Sequence, residues 1–196
     1  MPTYPLNLPT DPSPKNVDWE QVSRVSYSRS PLTGKQKAYA HSGQWWRVSF
    51  DLPQMQEAKT AEWTAMLLRL NGKEGYFNFI PTEDTPQGNV GGTGSAIISA
   101  VSGYEVTLNT VLSGGGLTAG DWVQIGTGLY RVTARTSIAT ETYELWPKPR
   151  AGIVLETTTL NYGNPKGMFR LAEGFRWDVN LAKTTGISLV AEEVLI

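Results

Sequence analysis

Residues 44–52, QWWRVSFDL, alternate: Trp46, Val48, Phe50 and Leu52 are apolar, while Trp45 stands with Arg47, Ser49 and Asp51. A strand sends successive side chains to opposite faces, so this stretch is predicted to be a β-strand with one face in a core. The pattern also sets a question. If Trp46 faces the core, Trp45 must face something else. With 20 Gly and 12 Pro in 196 residues, the remaining chain is cut into short pieces, which favours strands and turns over long helices.

The same period runs through residues 20–30, and Pro31-Leu-Thr-Gly34 is a turn signal before a return strand at 35–41. One helix is expected, over 53–71. Asp51 is placed to cap it, Pro53 suits its first turn, and Gly72 follows its end. Met55, Trp63, Met66, Leu67 and Leu70 make its apolar stripe, which Lys59 interrupts. A strand follows at 75–80. Residues 81–95 read as a linker.

Between 96 and 146 five short strands are expected. Hairpin turns fall at Ser102-Gly103 and Gly126–Gly128, and a glycine-rich loop at Ser113–Gly116. Such a run suits a small inserted barrel of the OB or SH3-like kind. A second linker covers 147–167, and strand patterns resume at 168–171, 175–181 and 186–195. The expected organisation is thus a proline-rich extended arm at 1–18, a β-rich domain with its helix from 19–84 and 167–196, and an inserted barrel with linkers at 85–166. The fold class is mainly β with one α-helix.

The chemistry available is narrow. With no Cys and a single His, His41, thiolate metal sites, disulfides and Cys nucleophiles are excluded, and His41 reads as a turn or surface residue. The segments GNVGGTG at 88–94 and SGGG at 113–116 lack the lysine and helix start of a phosphate loop. The adjacent acids Glu83-Asp84 and Glu192-Glu193 read as solvated surface rather than a split catalytic pair. Asp11, Glu83 and Asp84 lack calcium-loop spacing. No catalytic residue, cofactor or metal is expected. Net charge is −1, and no basic stripe is evident beyond Lys148 and Arg150, which argues against a nucleic-acid binder. In the barrel region Arg131 and Arg135 are outnumbered by Glu105, Asp121, Glu141 and Glu144. The N-terminus lacks a secretory pattern, and no apolar run reaches spanning length.

Seven tryptophans are many for this length. Trp46 and Trp63 read as core. Trp45, Trp122 and Trp146 occupy strand positions open to exposure, where aromatics anchor subunit interfaces or stack on sugars.

The stretches "GQWWRVSFDLPQM", "AKTAEWTAMLLRLNGKEGYFNFI", "LTAGDWVQIG" and "NPKGMFRLAEGFRWDVN" together resemble the distal tail (baseplate hub) proteins of long-tailed bacteriophages. The resemblance covers most of the chain, in architecture and phrasing rather than in any catalytic motif. It implies a structural virion protein, made in the host bacterial cytoplasm. The subunits form a homo-oligomeric ring, typically a hexamer, at the tail tip. The resemblance makes the β-rich domain a tube-like β-sandwich, which builds the ring with its helix, and the barrel projects outward. Implied partners are the tail tube above, and hub or receptor-binding proteins below or outside. DNA is passing cargo, and no membrane is involved. Tyr4, Leu6 and Leu8 of the arm, with Trp45 and Arg47, are the expected intersubunit contacts. Two alternatives stay open. One is a glycan-binding module using Trp122 or Trp146; the other is a tube or completion protein of the same fold.

Overall fold

The computed structural model describes residues 3–81, 94–174, 177–179 and 185–195. Glu83, Asp84, most of the 81–95 linker with its glycines, and parts of the 175–181 strand pattern lie outside these. The described chain is mainly β with a single α-helix, and its strands form two sheets.

The first sheet joins both ends of the chain. Its strands are β1 (Leu6–Asn7), β2 (Lys15–Arg29), β3 (Gln36–Met55), β4 (Phe77–Phe79), β11 (Gly167–Leu171), β12 (Trp177–Val179) and β13 (Thr185–Glu193). They lie in the order β1-β4-β11-β13-β3-β2, with β12 paired to β13. The β3 alternation has the expected outcome: Trp46, Val48, Phe50 and Leu52 are buried. Trp63, Met66 and Leu67 of α1 (Glu57–Arg69), with Leu70 at its C-cap, pack on the same core, with Phe77, Phe79, Phe169 and Leu189.

Two boundaries move. The helix begins at Glu57 rather than 53, because β3 continues to Met55 against β13. Asp51 caps nothing: its carboxylate accepts from Ser188 Oγ at 2.7 Å and Asn16 Nδ2 at 3.2 Å. Pro53 sits in a β-bulge, where Leu52 faces Ile187 and Met55 faces Thr185; a bulge tolerates the missing donor. Lys59 turns away from the stripe to pair with Asp11 at 3.1 Å. The arm is also shorter than expected. β2 starts at Lys15 and Val17 is buried, while Leu6 and Asn7 pair in parallel with Phe77 and Asn78.

The second sheet closes into a barrel. It comprises β5 (Ser95–Ser102), β6 (Glu105–Leu108), β7 (Trp122–Ile125), β8 (Gly128–Ser137), β9 (Thr142–Trp146) and β10 (Thr159–Asn161), in the order β10-β5-β6-β9-β8-β7. Six strands close it, not five. β10 lies within the stretch read as a linker, and its Leu160 is fully buried opposite Ala96 and Ile125. A lone apolar residue among threonines carries no alternation signal. The barrel core holds Ile98, Val106, Val123, Val132, Tyr143 and Leu145.

Candidate functional site

Beyond the sheet body, β2 and β3 run on as a two-stranded ribbon. Cross-strand pairs continue from Val25–Ala40 to Arg29–Gln36, and Ser30 N–H donates to Lys35 O at 2.9 Å to close the turn. Among described side chains from Ser23 to His41, all are exposed except Ser30, which is half-buried. The ribbon has two unlike faces, because partners across a ladder share a side. Val25 and Tyr27, 52% and 60% exposed, lie with Ala38 and Ala40 on the side that continues the sheet's core face. Arg29 continues the Val25 and Tyr27 side, and Lys35 stands in the turn just before β3. Ser26, Ser28, Lys37, Tyr39 and His41 lie on the other side. There Lys37 Nζ sits 4.8 Å from the Tyr39 ring centre, and Ser26 Oγ meets His41 Nε2 at 2.7 Å. At the ribbon's root the register shifts between Ser23 and Val25, and Arg24 Cζ lies 5.6 Å from the centre of the Trp45 ring. Trp45 therefore faces outward, half-buried beneath an arginine.

Below the root, the barrel is seated on the sheet. Trp46 meets Trp122 at 4.9 Å and Trp146 at 4.3 Å between ring centres, and Trp19 meets Trp122 at 4.6 Å. Edge-to-face and tilted contacts of this kind add about 0.5–1.5 kcal/mol per pair beyond area burial. Polar bonds cross the same junction. Trp46 Nε1 donates to Leu129 O at 3.1 Å. The buried Glu193 accepts from the N–H of Leu129 at 2.9 Å and of Trp46 at 3.2 Å, and its Oε2 lies 2.6 Å from Arg150 Nη2. Gln44 Nε2 donates to Tyr104 Oη at 2.9 Å, and Gln44 Oε1 accepts from Lys148 N–H at 2.9 Å. Barrel and ribbon root are thus fixed to one platform.

The expected site residues divide. Tyr4, Leu6 and Leu8 make contacts within their own chain. Leu6 is buried, Leu8 packs on the core, and Tyr4 Oη donates to Arg69 O at 2.9 Å. Gly75 makes this possible, since a Cβ there would lie 2.5 Å from the Tyr4 ring. Arg47 lies between Glu20 and Glu192, at 3.8 and 3.7 Å. Trp45 and Arg47 share the outer face. Trp122 and Trp146 do not offer a sugar platform: Trp122 is 5% exposed, and both pack in the junction. Their strands put them on the side turned toward the sheet, which spacing within one strand cannot reveal.

The other sequence features are structural. Glu193 belongs to the junction, and Asp121 accepts from Thr118 N–H at 2.7 Å. Glu141 pairs with Arg135 at 2.7 Å and accepts the Tyr143 hydroxyl, while Arg135 also donates to Gly115 O at 2.5 Å, holding the glycine-rich loop. Among the described residues no three His, Asp or Glu side chains converge on a metal position, and no helix is long and apolar enough to cross a membrane. Arg150 turns to Glu193 at the junction, and Lys148, exposed, gives the junction only its backbone N–H. The ribbon's charge escaped the sequence reading, although its signal is plain: five Lys and Arg, and no Asp or Glu, lie between Glu20 and Asp51. The net charge of −1 hides it. No family model matches the chain, and no curated protein matches it.

Proposed function

We propose that this chain is a structural subunit of the virion of a long-tailed bacteriophage. It forms a ring at the distal end of the tail, joins the tail tube to the tip or receptor-binding proteins, and lets DNA pass. The observation that supports this best is the ribbon. Ordering each residue costs about 1–2 kcal/mol of backbone entropy. A two-stranded hairpin bare on both faces recovers little of that cost from its own contacts. Its apolar side, with Val25 and Tyr27, gains burial only against a second body. The sheet adds open edges at β2 and β1. Two unlike docking surfaces on one subunit are what a closed head-to-tail ring requires.

The junction supports the same function, since a barrel fixed on its platform would point the same way in every subunit and carry partners at a set radius. Against the glycan-binding alternative, Trp122 is buried and Trp146 is half-buried against the junction core. Antibody against the barrel, imaged on virions that carry the chain, tests the proposal. Decoration confined to the distal tip is the expected result. Decoration along the whole tail would make the chain a tube protein, and undecorated tails would overturn the tail assignment.

A further inference from the structure

We infer that the outer face of the ribbon, with Arg24, Lys37, Tyr39 and Trp45, and with Lys35 in its turn, is a contact surface for a nucleic-acid phosphate backbone. Two observations carry this. First, its cations are uncommitted. Arg47, Lys59, Arg135 and Arg150 each lie within ion-pair distance of a carboxylate. Among the described residues Arg24, Lys35 and Lys37 have no such partner, and the nearest acids along the chain are Glu20 and Asp51. Second, Arg24 and Lys37 rest on the Trp45 and Tyr39 rings. The rings orient these cations without neutralising them, and basic side chains interleaved with aromatics suit a phosphate strand and its bases.

Two other polyanionic partners fit less well. An anionic membrane would be met by cations and apolar side chains on one face, whereas Val25 and Tyr27 share their side with Arg29 alone, and Arg24 and Lys37 lie with the Trp45 and Tyr39 rings on the other. A second copy of the chain is the partner assigned to the apolar face, which leaves the basic face open. The orientation, though not the binding itself, rests on the ring assignment: rotational symmetry turns the same face of every ribbon the same way, and a polyanion there offsets the repulsion between them.

The test is fluorescence anisotropy of a labelled 20-base-pair duplex and a 20-nucleotide single strand with the full-length protein, across a salt series. Three phosphate contacts predict a slope of log affinity on log salt near −2.7 for the duplex, or about a 40-fold loss between 50 and 200 mM, and near −2.1 for the single strand. Arg24→Gln, Lys35→Gln and Lys37→Gln combined should lose at least about ten-fold in affinity and most of the slope, with unfolding midpoint and solution mass unchanged. Parallel arms use vesicles containing phosphatidylserine and light scattering of the same variant. No binding by the wild type, or equal binding by the variant, overturns the inference. So does tighter binding to vesicles than to either nucleic acid, or loss of self-association in the variant, which would assign the strip to a second copy. A protein that stays monomeric yet binds DNA through these residues would fail the ring assignment and keep this one.

Discussion

At the scale of single residues, buried charge decides most. Glu192 and Glu193 look alike in sequence, yet alternation along β13 sends Glu192 out toward Arg47 and Glu193 inward to Arg150 and two backbone N–H groups. Removing one partner of a buried pair strands the other, so Glu193→Ala should destabilise the protein by about 3–5 kcal/mol in a denaturant titration. A loss below about 1 kcal/mol would mean the junction is not held this way. Tyr143 gives a pH signature. Burial, then its hydrogen bond to Glu141, push its hydroxyl up to about 12. A phenol whose ordinary value is near 10 and which is raised on folding supports the fold fully below pH about 10, and that support is lost as pH climbs toward 12. The stability gap between wild type and Tyr143→Phe should therefore close across that window, and a constant gap would contradict it. In the sequence Glu192 and Glu193 read together as solvated surface, and alternation along β13 in the folded sheet turns Glu193 inward. Its partner was not legible either, because Arg150 lies in a proline- and glycine-rich stretch that no periodicity ties to β13.

At the scale of elements, local pattern was read well where strands are long and poorly where a tertiary partner set the ends. The face of β3 and the buried side of α1 followed from their spacing. The start of α1 did not, because Asp51 and Pro53 look like helix-starting residues until Ser188 and β13 hold them in the sheet. The last strand of the barrel was missed because only Leu160 marks it. Strand, turn and return strand were all evident at 20–41, but nothing in those residues says that both faces of the hairpin stand clear of the body. The tryptophans make the same point. Trp122 reads as exposed from its own strand and is in fact a central piece of the junction. Trp122→Ala should cost about 3–5 kcal/mol and broaden or split the unfolding transition as barrel and sheet uncouple. An unfolding midpoint within error of the wild type would argue that the barrel is seated by Glu193 and Gln44 alone.

At the scale of the whole molecule, the sheet, its helix and the seated barrel make one platform from which the ribbon projects, and ring formation is the claim on which the rest depends. The ribbon's apolar side chains are solvent-exposed within the subunit. Replacing them with acids should therefore leave the fold within about 0.5 kcal/mol of the wild type, as surface substitutions do. The decisive measurement is the solution mass by light scattering across a concentration series, for the wild type and for Val25→Asp combined with Tyr27→Asp. A wild type that reaches a discrete multiple of the 21.5 kDa chain, beside a folded variant that stays monomeric, is the predicted result. A wild type that remains monomeric throughout, or a variant that assembles equally well, would contradict a ring built through the ribbon.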